Sequence, residues 1–229
     1  MERLKIIGTS HISKQSINEI KNEIKENKPD IVALELDLQR AASLMEKQKR
    51  KIGLREILQI GIKGYLFAKI GQVVQEKLGK IVGVSPGSEM KTALELARKE
   101  KLKVALIDQP IKITLKKFSK SLTWKEKLRF VGDIFRGIFF RKRQMHELGL
   151  DKLDLSKVPS EEVIKKMMSS TKKRYPNIYK TLVSDRNRYM VKKLVKLMRD
   201  NPGKNVLTVV GAGHKEGMEK LLLKVDIVN

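Results

Sequence analysis

The sequence predicts an α/β fold, a mostly parallel central sheet with flanking helices and a large helical insertion. Three observations point there. The first 35 residues read as strand, helix, strand, which is a βαβ unit whose strands run parallel. Short apolar runs recur, each ending in a polar residue. One small pattern, Gly-x-x-His, follows such a run near both ends of the chain: Gly8-Thr9-Ser10-His11 and Gly211-Ala212-Gly213-His214.

Leu4–Ile7 is the first strand. Ser13 is placed to cap a helix whose stripe is Ile17, Ile20 and Ile24. Pro29-Asp30 ends it, and Ile31–Leu34 forms the second strand. Residues 37–80 are basic with helical spacing. Residues 82–87 form a loop, and Ser88 is positioned to cap a helix carrying Ala93, Leu94 and Ala97. Val104–Ile107 is the third strand. Two helices are expected at roughly 160–173 and 176–200, stopped by Asn201-Pro202-Gly203. Val206–Val210 is the last core strand, followed by a short helix and a terminal strand, Val225–Val228. The chain reads as one domain over residues 1–229, with a helical insertion at about 111–200 between the third and fourth strands.

A length of 229 residues suffices for a substantial core, and 41% hydrophobic with 33% charged residues excludes a disordered chain. With no cysteine, disulfides and thiolate metal sites are excluded. Net charge is +24, which draws anionic partners. The amino terminus has no signal-peptide core and no apolar run reaches membrane-spanning length, so a cytoplasmic or membrane-associated location is expected. Residues 112–143 hold eleven Lys/Arg against two Asp/Glu, with aromatics interleaved. Their default reading is a solvated face. A basic amphipathic helix with Trp and Phe also suits an anionic membrane surface. Nucleic acid is disfavoured, because no recognised binding motif accompanies the charge. Apolar faces on these helices would serve as a lid or as a homodimer surface.

Four strand ends carry polar residues: His11, Glu35, Asp108 and His214. In open α/β sheets ligands bind at the carboxyl ends of strands. Imidazole and carboxylate together suit zinc, iron, manganese or cobalt. Glu35, expected on a strand next to that of His11, is a candidate ligand or general base. Arg40, one helical turn later, is a candidate partner for a carboxylate or an oxyanion. Glu89 lies in the first turn of its helix, where the dipole also favours a carboxylate. Arg186 shares a stripe with Leu182, Met190, Leu194 and Leu197, so it needs either a buried partner or a route to solvent. His146 reads as a helix-end or surface residue.

Together these pieces resemble the TraB/PrgY family, related to the Tiki proteins and more distantly to the erythromycin-esterase and ChaN haem-binding groups. The resemblance rests on Gly8–Ser13, Glu35-Leu36-Asp37 with Arg40, Pro86–Met90, Asp185-Arg186-Asn187 with Met190, and Gly211–His214. It implies that two Gly-x-x-His motifs face one cleft, with His11, His214, Glu35 and Glu89 as metal candidates. Glu35 and Glu89 would serve as base, and Arg40 and Arg186 as charge partners. It also implies metal-dependent peptidase activity or sequestration of a peptide signal. Many microbial members carry a C-terminal membrane portion, so the chain is expected to be the soluble domain of a longer protein. Family members often have Asp-Arg after the third strand; here the sequence is Asp108-Gln109-Pro110. Two functions follow: a metal-dependent hydrolase of peptides, or a non-catalytic module that binds a peptide or anionic ligand at a membrane surface.

Overall fold

The computed structural model describes residues 3–9, 14–45, 65, 87–126, 128–129, 132–133 and 160–226. In chain order the elements are β1 (Leu4–Thr9), α1 (Lys14–Asn27), β2 (Ile31–Leu34), α2 (Leu38–Met45), α3 (Ser88–Lys99), β3 (Lys103–Leu106) and α4 (Ile111–Ser121). Then come α5 (Glu161–Arg174), α6 (Pro176–Tyr179), a π-helical turn (Lys180–Ser184), α7 (Asp185–Asp200), β4 (Val206–Gly211) and α8 (Ala212–Asp226).

The four described strands form one parallel sheet in the order β1-β4-β2-β3. Strands buried on both faces read as near-continuous apolar runs; Ile31–Leu34 is one, and Val206–Val210 is another interrupted by Thr208. Alternate residues serve two cores. Val32, Leu34, Leu207 and Val209 pack with Ile20 and Ile24 of α1 and with Met90, Ala93, Leu94 and Ala97 of α3. Ile31, Ala33, Val206 and Val210 pack on the other face with Met190, Val191 and Leu194 of α7 and Met218 and Leu222 of α8. The progression β1 to β2 to β3 runs one way across the sheet over one layer, and the return to β4 runs the other way beneath the second. Right-handed crossovers require that change of face. The point where direction reverses is where such sheets bind ligands.

Several expectations change. β4 lies between β1 and β2, so the segments carrying His11 and Glu35 leave non-adjacent strands. The terminal strand does not form at residues 225–226, because α8 runs through Asp226. Ser88 is not a cap: α3 begins at Ser88, and Gly87 takes the cap position at φ 81°, a left-handed conformation that glycine adopts without strain. The helices expected at 160–173 and 176–200 form, the second with the π turn inside it. Ser13, most of the basic stretch 46–86, the core of the basic stretch 134–159 and His146 lie outside the described residues. Among the described residues, no helix is long and apolar enough to cross a membrane.

Candidate functional site

The carboxyl edge of the sheet gathers a buried polar centre from four distant segments. Glu35 follows β2, and its Oε2 accepts the Gly211 N–H at the end of β4 (2.6 Å). Asp108 lies two residues beyond β3 and is buried with Glu35. Arg186 enters from the first turn of α7. Its Nε and Nη2 donate to Oδ1 and Oδ2 of Asp108 (3.0 and 2.7 Å), a fork-on-fork pair, and Nη2 also donates to Glu35 Oε1. Its Nη1 donates to the Leu182 carbonyl in the π turn (3.2 Å) and faces Nε2 of His214 (3.0 Å). So Arg186 does not snorkel; it has buried partners. Burial works against its charge, and Glu35 and Asp108 outweigh that effect and hold its pKa above the ordinary arginine value.

His214 opens α8 directly after β4. Its Nδ1 lies 2.6 Å from Oδ1 of Asn187. An amide oxygen only accepts, so Nδ1 carries the hydrogen and Nε2 of the neutral ring carries the lone pair. That lone pair faces Arg186 Nη1 and lies 3.4 Å from Glu35 Oε1. Arg40, in the first turn of α2, donates from Nη1 to Asp108 Oδ2 (3.0 Å) and keeps a third of its side chain in solvent. With Glu35 and Asp108 ionised and both arginines charged, the formal charge of the centre cancels.

Asp37 organises this edge. Its Oδ1 accepts the Gln39 and Arg40 N–H groups (2.8 and 2.9 Å), and its Oδ2 accepts the Ile111 N–H that opens α4 (2.9 Å). One carboxylate therefore caps two helices and fixes the turn carrying Arg40. Gln109, where the family pattern often has arginine, is buried. Its Nε2 donates to Thr114 Oγ1 (2.8 Å), and its Oε1 accepts from Lys117 (3.4 Å). Its backbone N–H donates to Asp108 Oδ1 (2.7 Å), so the position supports Asp108 through the main chain.

The structure thus brings Glu35, Arg40, Arg186 and His214 together, with Asp108 at their centre. Glu89 is buried in the first turn of α3 and is not among the partners of Arg186. His11 lies outside the described residues. Sequence reasoning missed Asn187 as the residue that orients His214. A signal for it existed: helical Gly217 costs about 1 kcal/mol against Ala, so a packing reason is expected. A Cβ there would meet Asn187 Nδ2 at 2.3 Å.

The chemistry of His214 and Glu35 suits a divalent cation, and an imidazole fixed through its other nitrogen is the usual arrangement of a metal ligand. Arg186 stands between them as a competing cation. Arg186 N–H groups occupy Glu35 Oε1, both oxygens of Asp108 and the Nε2 lone pair of His214. Among the described residues no group of three or more His, Asp or Glu is arranged to hold a cation. In this arrangement Arg186, and not a cation from solution, is the positive partner of Glu35 and Asp108.

These features define an α/β protein with a buried, arginine-centred polar site at the carboxyl edge of a parallel sheet. The chain belongs to the TraB/PrgY/gumN family, which it matches over residues 2–225. It is 36% identical to an uncharacterized protein of Methanocaldococcus jannaschii over 96% of this chain and 53% of that protein. It is 26% identical to TraB domain-containing proteins of Bos taurus and Homo sapiens over 95% of this chain and 62% of theirs. The chain therefore spans a little over half the length of these relatives.

Proposed function

We propose that this chain is a hydrolase of peptide substrates, with Glu35, Asp108, Arg186 and His214 as its polar centre. One observation carries the reading. An imidazole of fixed tautomer meets a carboxylate and a buried guanidinium at the edge where such sheets bind ligands. In the proposed reaction, Nε2 of His214 exchanges its Arg186 contact for a water molecule. The water oxygen adds to the amide carbonyl carbon as its proton passes to Nε2, and Arg40 and Arg186 stabilise the resulting oxyanion. The C–N bond then breaks and the proton leaves with the amine. No step is assigned to manganese, cobalt or zinc; the metal arms of the test below measure whether one takes part.

The test is mass spectrometry of a mixed peptide library after incubation with the protein, with and without added Mn, Co or Zn. Cleavage that is lost in Glu35→Gln and in His214→Asn is expected. Absence of product from folded wild-type protein under every condition sinks the reading. Calorimetry with each metal, on wild type and on His11→Ala combined with His214→Ala, measures separately whether either histidine binds a cation.

A second reading is a non-catalytic module that holds a peptide or anionic ligand and rests on a membrane. It is favoured by Trp124 and Leu128, both strongly exposed beside exposed Lys125 and Arg129. Peptide retention without cleavage, together with sedimentation on anionic vesicles, would select it.

A further inference from the structure

The layer of α7 and α8 carries a groove on its outer side that the polar centre does not use. Its volume is about 590 Å³. Val191 and Val195 of α7 and Leu221 and Val225 of α8 supply its apolar floor. Arg188, Lys192, Lys196 and Arg199 stand along α7 beside it, all exposed, with Asp200 as the acidic residue of the lining. These cations fall at spacings of four, four and three, so they form one row on the helix. At 1.5 Å per residue the row is about 16 Å long, three turns of helix. Among the described residues, Arg188 and Lys196 pair with solvent-screened carboxylates, at 3.6 Å from Asp185 and 3.3 Å from Asp200.

We propose that this groove docks an acidic amphipathic helix of a partner protein. A cleft between two packed helices, with an apolar floor, accepts the apolar stripe of a third helix. The row of cations matches carboxylates recurring at i, i+4 and i+7 or i+8 beside that stripe. A second copy of this chain is a poor occupant, since like rows of cations would face each other. A flat bilayer would not fill a concave floor, and among the described residues no aromatic side chain lines the groove to stack on a base. The proposal is independent of the chemistry assigned to the polar centre.

The probe is an 18-residue synthetic helix with leucines at i, i+3, i+4 and i+7 flanked by glutamates, read by fluorescence anisotropy against the whole chain at physiological salt. A scrambled peptide of equal composition tests shape against bulk charge. Arg188→Gln, Lys192→Gln and Lys196→Gln combined should weaken binding about tenfold or more. Lys14→Gln, Lys21→Gln and Lys25→Gln, an equal loss of charge on the exposed side of α1, should change it little. Val195→Gln should weaken binding at unchanged net charge, with circular dichroism confirming the fold of each variant. Equal binding of the scrambled peptide, equal loss in the α1 control, or no binding at all overturns the proposal. Anionic vesicles (phosphatidylcholine with phosphatidylglycerol) or a single-stranded oligonucleotide binding through the same α7 residues, in place of the helix, also overturns it.

Discussion

Replacing Gly217 with alanine tests whether Asn187 sets the orientation of His214. On helix propensity alone the change stabilises α8 by about 1 kcal/mol. Against that, the new Cβ would stand 2.3 Å from Asn187 Nδ2, so the amide must withdraw by about an ångström to reach ordinary contact. Asn187 and His214 are both buried, and the 2.6 Å bond between them does not survive such a shift. A buried polar group left unsatisfied costs about 1–3 kcal/mol. The two effects sum to a net loss of about 0–2 kcal/mol, or a Tm lower by up to roughly 8 °C for a domain of this size. Thermal unfolding measures the loss, and nitrogen-detected NMR of the imidazole reports whether Nδ1 still carries its hydrogen. The decisive comparison is a double-mutant cycle. In an Asn187→Ala background the clash is gone, so Gly217→Ala should stabilise by about 1 kcal/mol. A stabilised Gly217→Ala single variant, or an imidazole spectrum identical to wild type, refutes the coupling.

Arg186→Met removes the cation that faces Glu35 and Asp108; urea unfolding should show a loss of about 3–5 kcal/mol, and adding Glu35→Gln should recover part of it. Asp37→Ala deprives three backbone N–H groups of their acceptor at two helix starts, with an expected loss of about 1–3 kcal/mol in the same measurement. Glu126 forms a capping box with Thr123 and accepts two bonds from Asn177. Burial opposes its charge, but the bonds from Asn177 and Thr123 outweigh this and lower its pKa below 4.5. Its contribution is therefore complete above the unfolded value and lost as pH falls through the folded one. Wild type should exceed Glu126→Gln in stability at neutral pH and converge with it in acid; a gap that persists or widens in acid contradicts this.

The strands were legible because parallel strands buried on both faces are nearly continuous apolar runs, and Ile31–Leu34 and Val206–Val210, the latter with Thr208 inside it, are short, β-branched runs bounded by turn signals. Their order was not. A βαβ unit fixes the direction of two strands but not what lies between them, and β4, which begins at Val206, inserts from far along the chain to separate β1 from β2. The anomaly of Arg186 was legible in the same way, as a charge on a stripe of Leu182, Met190 and Leu194. What it needed was a partner, and a sequence cannot choose among Glu35, Asp108 and Glu89 for that part. The fold chooses by layer and by height on the sheet. α7 lies on the face opposite α1 and α3, and its first turn stands level with the ends of β2 and β3. From there the guanidinium spans Glu35 and Asp108 at once. The same geometry bears on the metal expectation. Counting His and carboxylate residues identifies atoms able to bind a cation, but not whether their lone pairs are open. Here Arg186, itself a buried cation, donates to Glu35 and faces Nε2 of His214, two of the four expected ligands, while His11 lies outside the described residues. The two carboxylates are met by Arg186 from α7 together with Arg40 from α2, and in the proposed reaction Arg186 must yield its contact with His214 before water can take that place.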